Sequence, residues 1–152
     1  MRAITAFILL ISFLPAWGSD EAREHLLRAR SLKCIFGPGT IADWEKGNPK
    51  LESANIGKTA NGGADITNYD AIDIKNGRAR MITSVGTADL SVTVGTYGLT
   101  FTENFLAGVS IATVFSEYKS GTREFIAVLS RHVDLAGLPF PSQYHGTCNV
   151  LQ

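Results

Sequence analysis

From Leu32 to the C-terminus the hydrophobic pattern repeats every two residues and is broken about every ten by glycine, asparagine or proline. A period of two turns one face of each segment toward a core and the other toward water, which is the pattern of half-buried strands. The segments 32–36, 40–45, 50–56, 64–75, 78–85, 88–94, 97–105, 109–118, 123–133 and 145–151 read as strands. Between them stand Gly37-Pro38-Gly39, Gly47-Asn48-Pro49, Asn61-Gly62-Gly63, Asn76-Gly77, Gly86, Gly95, Gly108 and Ser120-Gly121. Asn76-Gly77 is the strongest turn signal, because a type I′ hairpin needs positive φ at both central residues. No intervening stretch has room for a crossover helix, so a parallel α/β fold is excluded and consecutive strands pair antiparallel. A sheet of eight or more strands curls or splits. The expected fold is all-β: an antiparallel meander closing into a β-barrel, or a sandwich built from the same meander, with a short N-terminal helix. The stretch 134–144, with Pro139 and Pro141, reads as a long loop.

The N-terminus carries a different pattern. Arg2 precedes an apolar run from Ala3 to Leu14, Pro15 ends it, and Ala16 and Gly18 place small residues before Ser19. Residues 1–18 therefore read as a secretory signal peptide, and the apolar run is too short for a membrane span, which needs about 20 residues. Residues 19–31 follow as a short helix, with Ser19 or Asp20 as cap, Glu21 and Glu24 early, and Arg28 and Arg30 late. Its small apolar face (Ala22, Leu26, Leu27, Ala29) suits packing over a sheet edge. Residues 32–152 form a single β-domain. Export makes the expected location secreted or periplasmic, with no membrane anchor after cleavage.

The chain has 14 basic and 14 acidic side chains. Cleavage would remove Arg2 and leave a net charge of −1, which excludes the basic footprint of a nucleic-acid binder. Two cysteines, Cys34 and Cys148, remain. In an oxidising compartment they pair, and the bond would join the first strand to the last. No C-x-x-C occurs, and no histidine stands at metal-ligand spacing from a cysteine, so neither a metal site nor a cofactor is expected.

The segments Phe125-Ile126-Ala127-Val128-Leu129-Ser130-Arg131-His132 and Pro141-Ser142-Gln143-Tyr144-His145-Gly146-Thr147-Cys148 form a C-terminal pattern. Leu99–Glu103 and Thr113-Val114-Phe115 belong with it. The pattern resembles that of small exported bacterial proteins with no assigned activity. The resemblance implies export and carries no function, so the residues must supply one.

Two charges stand out. Glu103 shares a strand face with Tyr97, Leu99, Phe101 and Phe105, and Arg131 is the only charge on the face of Phe125, Ala127, Leu129 and Val133. A buried charge without a partner is costly. Three readings stay open: both residues reach water at strand ends, they form an internal salt bridge, or they orient a polar ligand in one interior. Trp44 is a further candidate at a cavity rim. Ser130, His132 and Asp134 alternate along one segment and raise a hydrolase as an alternative, although no nucleophile elbow accompanies them. The leading reading is a non-catalytic protein, monomeric or weakly oligomeric, that binds a small molecule or another exported protein. A structural or inhibitory protein is the remaining class.

Overall fold

A computed structural model of the chain describes residues 17–56 and 66–151. It contains one helix, α1 (Trp17–Arg28), and nine strands: β1 (Leu32–Glu45), β2 (Asn48–Asn55), β3 (Ile66–Asp73), β4 (Arg78–Thr83), β5 (Gly86–Gly95), β6 (Gly98–Phe105), β7 (Gly108–Tyr118), β8 (Phe125–Leu135) and β9 (Leu138–Val150). Neighbouring strands pair antiparallel in chain order from β3 to β9, and β9 returns to β1. The expected all-β barrel is the fold, and the sandwich is not. β2 and β3 lie in series along one edge of β1: Pro38 to Glu45 pair with β2, and Leu32 to Ile35 pair with β3. The nine strands thus make an eight-stranded closed wall. Residues 1–16, which hold most of the expected signal peptide, and the Asn61-Gly62-Gly63 turn signal lie outside the described residues.

Several expected boundaries move, each for a local reason. Gly37-Pro38-Gly39 is not a turn. It is a register shift within one long β1, where the strand exchanges β3 for β2 while staying paired with β9. The segments 32–36 and 40–45 are therefore one strand. Asn76-Gly77 does not form a two-residue type I′ hairpin. The connection spans four residues, Asp73 pairs with Arg78, and the Asp73 carboxylate accepts from the Asn76 backbone N–H (3.1 Å) and from its side chain (2.6 Å). Positive φ at both central residues occurs instead at Lys46-Gly47 (53° and 81°) and Ala136-Gly137 (55° and 85°). The second of these turns converts the expected 134–144 loop into the β8–β9 hairpin. Pro139 and Pro141 are tolerated in β9 because β1 pairs with it only from Ser142 onward, leaving one edge open there.

The helix does not lie on a sheet edge. It starts at Trp17, so Asp20 sits in the first turn rather than at a cap. Ala22, Leu26 and Ala29 are buried in the same cluster as the barrel core. α1 closes the end of the barrel where the β5–β6 and β7–β8 connections lie, and polar contacts fix it there, among them Arg23 Nε donating to the Thr96 carbonyl at 3.4 Å. A His25 ring nitrogen lies 2.7 Å from the Tyr118 hydroxyl, and Arg123 bonds Glu21 at 3.1 Å. Above the helix the inner face is filled by Leu32, Phe36, Tyr69, Ile72, Leu99, Phe101, Val114 and Phe125, with Tyr69 and Phe101 stacked at 4.4 Å.

The seam between β1 and β9 closes the wall. Cys34 lies directly opposite Cys148, their Cα atoms are 4.1 Å apart, and both are fully buried in a disulfide. Two glycines let the strands approach: a Cβ on Gly39 would collide with the Gln143 carbonyl and Tyr144, and one on Gly146 with the Ile35 carbonyl and Phe36. The bond links positions 114 residues apart. The chain-entropy model gives about 4–5 kcal/mol for a loop of that size. Cys34→Ser combined with Cys148→Ser should lower unfolding free energy by about that amount in urea titrations. Acid stability has a separate source. Asp70 accepts from Ser31 (2.6 Å) and pairs with Arg80 (2.8 Å), tying the start of β1 to β3 and β4. The hydrogen bonds from Ser31 and then Arg80 hold its carboxyl at about 2, below the ordinary 3.8. A folded-state value below the unfolded one stabilises above pH 3.8 and is lost as pH falls toward 2. Asp70→Asn should therefore flatten the fall in melting temperature across that window.

Candidate functional site at the open end of the barrel

The end opposite α1 is uncovered among the described residues, and burial falls along β6 and β8 toward it. In β6 the inward residues run from Leu99 and Phe101, both buried, to Glu103, partly exposed, and Phe105, exposed. In β8 they run from Phe125, Ala127 and Leu129, all buried, to Arg131 and Val133, both partly exposed. Alternation fixes these faces once one residue of each strand is known to point inward.

The ladder then places Glu103 and Arg131 together. Glu103 pairs with Ser110 on β7, Ser110 with Arg131 on β8, Arg131 with Ser142 on β9, and Ser142 with Ile41 on β1. These residues form one inner row around half of the barrel. Glu103 and Arg131 stand two strands apart, roughly 9 Å between backbones. No ion pair within 4.0 Å joins them among the described residues, so the internal salt bridge is not formed.

Tyr69 lies beneath this row. Its side chain is 2% exposed, and burial pushes its phenol well above the ordinary value, with Arg131 pulling it down and Glu103 pushing it up. The phenol therefore senses both charges. Ser110 and Ser142 are also buried. Among the described residues, no hydrogen bond is made by the side chains of Tyr69, Glu103, Ser110, Arg131 or Ser142. The buried side-chain oxygen left without a partner among the described residues is Ser116 Oγ. The polar atoms of this row are therefore open to solvent, and a converging, accessible set without protein partners is a place where a polar ligand can bind. The floor of this cup is aromatic, from the stacked Tyr69 and Phe101, and its wall carries one cation, one anion and two hydroxyls.

The other candidate residues lie elsewhere. Trp44 is on the part of β1 beyond Ile41, opposite Pro49 of β2 and on the alternate face, so it does not join Glu103 and Arg131. Ser130, His132 and Asp134 share the outer face of β8. Ser130 accepts from Gln143 at 3.3 Å, and Asp134 accepts the Gly137 N–H at 2.6 Å within the β8–β9 turn. A rim groove of about 470 Å³ includes His132 and Asp134 beside Ala107 and Pro139 to Pro141, but not Ser130. No hydrogen bond connects the three among the described residues, and the carboxylate that would orient the histidine is occupied by the turn. No group of three or more His, Cys, Asp or Glu side chains is placed to hold a metal among the described residues.

Sequence patterning placed Glu103 and Arg131 on inward faces but missed Tyr69, Ser110 and Ser142. Serine on a strand carries no signal of its own, and Tyr69 reads as one more core aromatic. Comparison with known protein families, with characterised proteins and with solved structures finds no match.

The unpartnered phenol has a measurable consequence. Tyr69→Phe removes a hydroxyl that stabilises nothing within the protein, so unfolding free energy should change by less than about 1 kcal/mol. Tyr69→Ala should cost about 3–5 kcal/mol through lost packing on Phe101. Paired denaturation curves separate the two.

Proposed function

We propose that this chain is an exported, non-catalytic binding protein that holds a small molecule in the open end of its barrel. The inner row of Glu103, Ser110, Arg131 and Ser142 above Tyr69 carries the reading. Five polar groups that converge on one end of the barrel and make no hydrogen bond to the protein offer a ligand several polar contacts at one place. The ligand pairs an anionic group with the Arg131 guanidinium, flanked by hydroxyls on both neighbouring strands, and a cationic or donor group with Glu103. The aromatic floor and Ile41 on the wall suit an apolar portion. The buried Cys34–Cys148 bond supports an oxidising compartment, as secretion or a periplasmic location would provide. A hydrolase built on Ser130, His132 and Asp134 gains no support from their hydrogen bonds. Nor does the fold supply an activity, since one barrel architecture hosts many.

Native mass spectrometry of the protein purified from its own host tests this directly. The expected spectrum shows a retained small molecule, lost or reduced at least tenfold in Arg131→Gln and Glu103→Gln, with the disulfide-bonded fold intact by circular dichroism. A bare wild-type chain, or a retained molecule indifferent to both substitutions, would remove the reading.

A further inference from the structure

The turns at the open end share a property that the cup does not explain. In an antiparallel meander alternate connections lie at the same end, so the β4–β5, β6–β7 and β8–β9 turns all surround the mouth. Each carries an exposed aliphatic at or beside its tip. Val85 and Leu106 are almost fully exposed, and Leu135 and Leu138 are more than half exposed. Exposed apolar residues scattered singly are ordinary, whereas a ring of them around one opening marks a contact surface. They stand on separate convex hairpins rather than on one flat face. A protein partner would need a matching pit for each, while a fluid bilayer accepts them all.

The axial positions agree with that occupant. Arg131 lies four residues before Leu135, and Glu103 lies three before Leu106. At about 3.3 Å per residue on strands tilted about 40°, both stand roughly 8–10 Å behind the tips. Apolar faces of interfacial segments settle about 5–10 Å into the boundary between head groups and acyl chains. Tips at that depth bring the two charges to the level of the head groups. The rim also selects among lipids. Around the β1–β2 hairpin Lys46 and Lys50 are outnumbered by Asp43, Glu45 and Glu52. Such a rim gains nothing from an anionic surface, which attracts clusters of Lys and Arg.

We propose that the open end of the barrel sits on a lipid surface, with the aliphatic tips in the acyl boundary and the cup enclosing a zwitterionic head. The head carries a phosphate for Arg131, Ser110 and Ser142, and a primary ammonium whose N–H groups are taken by Glu103. The head-group assignment rests on the ligand reading of the cup, and the docking rests on the tips.

Flotation of the full mature chain with vesicles tests both. Vesicles of phosphatidylcholine containing phosphatidylethanolamine should carry the protein, pure phosphatidylcholine should bind at least threefold less, and phosphatidylglycerol should add nothing. Leu106→Ser with Leu135→Ser, both at exposed positions, should reduce partition at least tenfold while leaving O-phosphoethanolamine binding in solution unchanged. Glu103→Gln should erase the preference for phosphatidylethanolamine. The proposal is overturned by absence of flotation, by binding that requires phosphatidylglycerol and disappears in salt, or by indifference to the double serine substitution. Tip-dependent flotation that ignores Glu103→Gln and Arg131→Gln would overturn the head-group assignment alone. Loss of a protein complex on the same double substitution, with vesicles ignored throughout, would assign the tips to a protein.

Discussion

Every other feature of this barrel depends on the pairing of β1 with β9. An open sheet of this length would present two unpaired edges and one apolar face to water, and closure removes both problems together. β1 meets the demand by using both edges. One pairs with β9 from Leu32 to Ile41, and the other is divided between β3 and β2. The Cys34–Cys148 bond restricts the unfolded ensemble across the same seam, and glycines at 39 and 146 allow the close approach. The bulge at Gly37-Pro38-Gly39 lets β1 change partner without leaving the wall.

Closure divides the interior into two halves of different chemistry. The half against α1 is apolar and filled, from Leu26 of the helix to the stacked Tyr69 and Phe101. The half toward the mouth carries Glu103, Ser110, Arg131 and Ser142. The graded exposure along β6 and β8 opens this half to solvent. The filled apolar half and the polar half are thus stacked along one axis, with Tyr69 at their boundary.

Much of this was legible in the residues. The strands 88–94, 97–105, 109–118 and 123–133 match β5 to β8 closely, because long alternating segments bounded by glycine leave little freedom. The cysteine pairing was legible because only one intrachain pair exists. Three readings failed where the backbone departs from simple rules. Gly37-Pro38-Gly39 looks like a turn but is a bulge. The type I′ turns fall at Lys46-Gly47 and Ala136-Gly137, whose first residues give no turn signal. The prolines of β9 suggested a loop, since an open edge cannot be recognised before the neighbours of a strand are known.

The sequence by itself determined which face of each strand is apolar, that Glu103 and Arg131 sit on such faces, and that one disulfide spans the domain. These follow from local alternation and from counting. Only the tertiary structure decided that the two charges share a row with Ser110 between them, that Tyr69 lies beneath, and that Trp44 and the Ser130, His132, Asp134 series stand apart. Neighbour relations depend on turn lengths and bulges summed around the whole barrel, and a slip of one residue reverses a face. The site is a property of the register, and the register exists only once the barrel has closed.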